Sequence, residues 1–157
     1  MYRAGDKILY PMHGAGIIRQ IKSCEILGQT KDYYLLSVPC GDMEVMIPVG
    51  NSDDIGVRPV GTEEDVGSAI AVLGQDSTEM NGNWNKRYRE NMDKVKTGNI
   101  LLVAEVVRNL TRIDREGRLS AGEKKMLSNA RKILQSEIML VLGISEKEAL
   151  EKIEGAI

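Results

Sequence analysis

Hydrophobic positions in the first fifty residues come in short runs broken by glycine, asparagine or aspartate: Lys7 to Tyr10, Gly16 to Ile26, Asp32 to Val38 and Met43 to Pro48. Runs of this length, rich in β-branched and aromatic residues and bounded by turn formers, predict strands. Gly28 and the Gly41-Asp42 pair mark the reversals between them. Within the third run Tyr33, Tyr34, Leu35 and Leu36 are apolar on both faces, the pattern of a central strand. Four or five strands in so short a stretch predict an antiparallel barrel of SH3-like or Tudor-like size, and modules of that kind usually bind partners.

After Asn51 the hydrophobic period lengthens to that of a helix. Thr62 is placed to cap a first helix, with Glu63, Glu64 and Asp65 in its first turn and Val66, Ile70 and Leu73 on one face. Four more helices are expected at Trp84 to Lys96, Asn99 to Arg115, Ala121 to Leu142 and Glu146 to Glu154. Ser120 with Glu123, and Ser145 with Glu148, have the spacing of capping boxes, and Gly98, Gly117 and Gly143 stand where helices should stop. The expected fold is therefore α+β: an N-terminal small antiparallel Tudor/SH3-like β-barrel over residues 1–60, then a C-terminal bundle of about five α-helices over residues 61–157.

Helical wheels assign the core faces. In the third helix Ile100, Val103, Ala104, Val107 and Leu110 form the apolar face, with Arg108, Arg112 and Arg115 as an adjacent stripe. In the fourth, Met126, Leu127, Ala130, Ile133, Leu134 and Val141 point inward, while Lys124, Lys125 and Lys132 project away. Glu137 falls within that apolar face. A buried carboxylate without a partner is costly, so Glu137 is expected to be paired, with Arg108 or Arg112 as the partner.

Charge changes the picture more than composition does. The net charge of -2 conceals a segregation: residues 83–132 carry thirteen Lys/Arg against six Asp/Glu, whereas residues 1–74 carry six against ten. Local field, not net charge, decides whether a surface attracts phosphate, so the middle of the chain is a candidate for contact with nucleic acid. No apolar run approaches the ~18 residues of a membrane span, and Met1 to Asp6 lacks a signal-peptide core, so a cytoplasmic location without membrane contact is expected. Cys24, Cys40 and His13 are too few for a zinc site, and both cysteines are expected to be reduced thiols; no metal and no cofactor is expected.

The segment Asn83 to Asn91, NWNKRYREN, holds the only tryptophan at a helix start. Trp84, Tyr88, Met92 and Val95 share one stripe, whose first reading is that Trp84 is a packing anchor; its place in the first turn beside Lys86, Arg87 and Arg89 leaves open an exposed wedge for the minor groove. The basic runs at 86–89 and at Lys124 and Lys125 read either as solvated helix faces or as phosphate contacts. Gly14-Ala15-Gly16 lacks the lysine and hydroxyl residue of a phosphate-binding loop and reads as a turn between strands. His13 has no nucleophile or carboxylate placed by a motif, so no enzyme activity and no catalytic residue is expected.

The stretches GDKILYPMHGAGII, GDMEVMIPV and IGVRPV resemble the N-terminal domain of the CarD/CdnL family of bacterial transcription regulators, a domain similar to the polymerase-interacting domain of transcription-repair coupling factor. NWNKRYREN, VAEVVRNL and LSAGEKKML resemble the family's C-terminal domain, so the likeness runs through the chain in order. The resemblance implies a non-catalytic regulator, a monomer, that binds the β subunit of bacterial RNA polymerase and touches promoter DNA at the upstream edge of the bubble, weakly and largely without sequence preference, stabilising the open complex. It makes Trp84 the wedge and Lys86, Arg87, Arg89, Lys124 and Lys125 the basic patch. The β-subunit contact is expected by edge-strand addition along Met43, Glu44, Val45, Met46 and Ile47. Some family members carry arginines where this chain has Cys24 and Met46, so an apolar contact through Met46 is expected instead of a salt bridge. Two other readings stand beside this one: a polymerase-binding adaptor without DNA contact, and a Tudor-like RNA-binding protein.

Overall fold

Five strands come first: β1 (Lys7–Tyr10), β2 (Gly14–Ile26), β3 (Gln29–Val38), β4 (Met43–Pro48) and β5 (Arg58–Pro59). Five helices follow: α1 (Glu63–Leu73), α2 (Trp84–Lys96), α3 (Ile100–Arg115), α4 (Ala121–Leu142) and α5 (Glu146–Ala156). The computed structural model describes all 157 residues. The strands form one antiparallel sheet in the order β4-β3-β2-β1-β5. The α+β class, with a small antiparallel sheet followed by five helices, is as expected, and β4 and β5 stand at the two ends of the ladder. A register shift between Ile18 and Gln20 lets Arg19 bulge, and the alternation of β2 changes phase there, so that Ile21 comes opposite Tyr34.

Where a turn was expected at Gly14-Ala15-Gly16, the structure has the start of β2. The reversal lies one step earlier, at Pro11-Met12-His13. His13 N–H donates to the Tyr10 carbonyl at 2.9 Å, Pro11 supplies the fixed φ, and Met12 takes the left-handed conformation at φ 72°. The glycines serve close packing instead. A Cβ on Gly14 would stand 2.9 Å from Ser136 Oγ of α4, and one on Gly16 would stand 2.5 Å from the Ser37 carbonyl oxygen of β3. Ala15 N–H donates to that same Ser136 Oγ at 2.8 Å.

This approach makes the sheet a two-sided element. One face buries Ile8, Ile18, Tyr34, Leu36, Val38 and Ile47 with Val57 from the loop before β5. On the other face Leu9 and Ala15 enter the main core, among Val95, Val107, Leu110, Leu134 and Ile138 of the helices. The halves thus share a core as well as a chain.

All three serine or threonine caps form complete capping boxes, Thr62 with Asp65, Ser120 with Glu123 and Ser145 with Glu148, and Gly143 ends α4 in the left-handed conformation at φ 65°. Glu137 is 1% exposed and ion-paired, but its partner is neither Arg108 nor Arg112. Arg58 of β5 donates to both of its oxygens, at 2.8 and 2.9 Å, and Gly61 N–H adds a third bond at 2.8 Å. The wheel-based expectation failed because α3 is covered on two sides, by α1 and by α4. Arg108 is consequently only 2% exposed and donates to the Val72 carbonyl and to Asn109 Oδ1. Arg112 reaches the Leu73 carbonyl and Ser77 Oγ, so both arginines hold the C-terminal end of α1 and the loop beyond it. Val141 lies at the margin of the core.

Candidate nucleic-acid interface and free sheet edge

The stripe along α2 rises from the interior to the surface. Val95 is buried, Met92 and Tyr88 are half-buried, and Trp84, in the first helical turn, is 56% exposed. The stripe thus packs at its C-terminal end and leaves the indole of Trp84 exposed at its N-terminal end. The helix starts where it does because Asn83 caps it, its side-chain oxygen accepting from the N–H groups of Asn85 and Lys86.

The basic residues divide by what they touch. Lys86 and Arg89 on α2, and Lys124 and Lys125 in the first turns of α4, are exposed and form no ion pair. Glu90 and Asp93 share the surface around Lys86 and Arg89 and weaken the local field there. Arg87 is different. Its Nε and Nη2 each donate at 2.8 Å to the carboxylate of Glu123, which is 1% exposed. Burial alone would raise the Glu123 carboxyl, but hydrogen bonds from Arg87 and Ser120 outweigh it and hold the group below the ordinary glutamate range. The same bond pushes the Arg87 guanidinium up, against the effect of its own burial. The clamp fastens the start of α4 to α2, and Tyr88 packs near Gly122 beside it. Lys86, Arg89, Lys124 and Lys125 are thereby carried on two helices tied at one end.

Between those helices lies an open groove of about 410 Å³ with an apolar floor of Tyr88, Met92, Val95 and Met126, and Lys125, Ser128, Asn129 and Lys132 along its α4 side. Lys132 was read from the sequence as projecting away from the core but was not counted with the basic patch, although it follows Lys125 by seven residues and so shares its face. Glu123 was noted as a cap but not as a buried carboxylate. Its place on the same wheel face as Met126, Leu127 and Ala130 is the signal that would have called for a cationic partner.

In the sheet, β4 is an edge strand, paired only with β3. Of the five residues expected there, Ile47 is buried beside Tyr34, Val45 is half-buried, and Met43, Glu44 and Met46 are exposed. The registers put Met46, Leu35, Tyr33 and Cys24 on one face of the sheet, all at least partly accessible. Cys40, by contrast, is buried near Glu146 of α5, and burial followed by that carboxylate pushes its thiol up to about 11. His13 stacks on Tyr10 with ring centroids 4.2 Å apart, and burial lowers its pKa. No helix is long and apolar enough to cross a membrane.

Comparison with known proteins bears on both ends. Residues 2–61 match the family model described as the CarD-like/TRCF RID domain, and residues 68–154 match that of the CarD C-terminal domain. The chain is 40% identical over 148 residues, 94% of its length and 97% of the relative's, to the "Putative transcription factor YdeB" of Bacillus subtilis (strain 168).

Proposed function

Because the chain belongs to the CarD family of transcription factors and carries its RNA polymerase-interacting domain, we propose that it binds the polymerase β subunit through residues 1–60 and leans on promoter DNA through residues 61–157, stabilising the open complex without catalysis. The observation that carries the DNA half is the exposure of Trp84 at the tip of a stripe whose other end is buried, on a helix that also carries the exposed Lys86 and Arg89 and is clamped by Arg87 and Glu123 to the start of the helix bearing Lys124 and Lys125. An apolar ring flanked by cations suits entry into the minor groove at a distorted base step, where unstacking is offset by new contact. Lys86, Arg89, Lys124 and Lys125 supply phosphate contacts, which position the protein without reading sequence. Arg87 enters the site through Glu123, as the residue that ties the two basic helices.

For the β-subunit half, the free edge of β4 offers unpaired main-chain groups to another strand, and Met46 with Leu35 offers an apolar contact on the adjoining face. A factor of this kind favours the melted promoter only by binding it better than the closed one. The test uses the full-length chain: Trp84→Ala should leave β-subunit binding unchanged and remove most of the prolongation of open-complex lifetime. If that prolongation survives both this change and alanine at the four cations, the protein is an adaptor without DNA contact. Preference for single-stranded RNA over forked promoter DNA would instead favour the RNA-binding reading.

A further inference from the structure

Arg58 touches three parts of the molecule at once. It leaves β5 in the sheet, donates from Nη1 and Nη2 to the buried carboxylate of Glu137 on α4, and donates from Nε and Nη2 to the Gly98 carbonyl at 3.1 and 2.7 Å. Gly98 directly follows the C-terminal cap of α2, with φ 69°. Its backbone lies so close to the sheet that a Cβ there would stand 3.1 Å from Leu9 Cδ2 and 3.2 Å from Pro11 Cγ. The far end of the Trp84 helix is therefore seated on the sheet, and Arg58 is the fastening.

Stability alone is a poor explanation for such a pair. A buried ion pair holds little net advantage over apolar residues of the same volume, whereas a guanidinium fork with its donors committed fixes direction. We infer that Arg58 and Glu137 are positioning residues: through the Gly98 carbonyl they set the angle at which α2 presents Trp84 relative to the β4 edge. The inference rests on the function proposed above. The lever is long, because the thirteen residues of α2 span about 20 Å at 1.5 Å each. A rotation of about 10° at the Gly98 end then moves the indole by about 3.5 Å, close to one base-pair step. With the angle held, the second of two contacts follows the first within one complex at a high effective concentration; with it loose, each contact survives but their coupling does not.

The experiment uses two variants of the full-length chain, Glu137→Gln and Arg58→Lys. The first keeps side-chain shape and leaves a partly solvated arginine, and the second keeps the charge but loses the fork. Spin labels on the native Cys24 and on Asp93→Cys, with Cys40→Ser in every sample, report the distance between sheet and α2. The parent should give one narrow distribution, and both variants should broaden it. Binding to the isolated β-subunit lobe and to forked DNA should each stay within about twofold of the parent, while the prolongation of open-complex lifetime falls about tenfold, as for the loss of a typical coupling between sites. A distribution that stays narrow in both variants overturns the inference, and so does a loss of either separate affinity large enough to explain the lifetime. If the parent itself leaves open complexes unchanged, the functional reading falls, and the distance distributions alone then decide whether the joint exists.

Discussion

Replacing Arg87 by alanine should damage the fold before it damages DNA binding, and the size of the effect follows from its partner. Glu123 is 1% exposed and takes two 2.8 Å bonds from Arg87, with weaker bonds from Ser120 at 3.0 and 3.4 Å. Removing one member of a buried pair costs about 3–5 kcal/mol. The Ser120 bonds remain and the Arg87 side chain is 18% exposed, so water can partly refill the site and the expected loss is about 2–4 kcal/mol. For a chain of this length a loss of about 3 kcal/mol lowers Tm by roughly 6–12 °C. Lys86→Ala, with no partner to strand, should stay within about 0.5 kcal/mol.

The pH dependence carries the sign. In the parent, Glu123 is held below the ordinary glutamate range, so the clamp's contribution is complete above that range and is lost only as pH falls through the depressed value. Without Arg87, burial is opposed only by the Ser120 bonds, so the carboxyl moves up from its value in the parent. The folded variant then binds the proton more tightly than the folded parent does, so its deficit should shrink as pH falls through the carboxylate range. Thermal melts at a series of pH values, run beside salt titrations of DNA binding, measure both effects. An Arg87→Ala Tm within a degree or two of the parent, together with a fall of about 0.9 in the salt slope as for one lost phosphate contact, would refute this reasoning and return Arg87 to the DNA surface.

Gly16→Ala should unfold the chain or cost more than about 3 kcal/mol, because the new Cβ would meet backbone, the Ser37 carbonyl oxygen at 2.5 Å, which cannot turn aside; a soluble variant with near-parent Tm disproves it. Thiol labelling near pH 8 should modify the half-exposed Cys24 first and leave Cys40, buried with a pKa of about 11, unreacted until the protein unfolds. Equal rates for the two would contradict the packing against α5.

The elements were legible in the sequence because local rules govern them. The capping boxes at Ser120 and Ser145, the stops at Gly98 and Gly143, and the four main strands all depend on neighbours a few residues away. What was not legible depends on distant pairs. Glu137 announced that it needed a cation, but nothing local distinguishes Arg58, 79 positions away, from the arginines of α3. The same holds for Arg87 and Glu123, 36 positions apart, where a basic run masked one residue committed to the interior. Gly14-Ala15-Gly16 was misread for a related reason: glycine signals a turn and close packing alike, and only the position of Ser136 separates them. At the candidate site, the exposure of Trp84 could not be decided from periodicity, because one stripe begins in solvent and ends in the core.

The entry of Leu9 and Ala15 into the helical core also bears on how the molecule is made. When the first sixty residues have left the ribosome, one side of their sheet is unsealed, since Ser136 and Ile138 belong to a helix not yet synthesised. About eighty more residues must be added before that helix is complete, which takes roughly 4–16 s at ordinary elongation rates. During that interval the nascent sheet has Leu9 and Ala15 open to water, a state in which chaperones would find purchase and from which only the finished chain escapes.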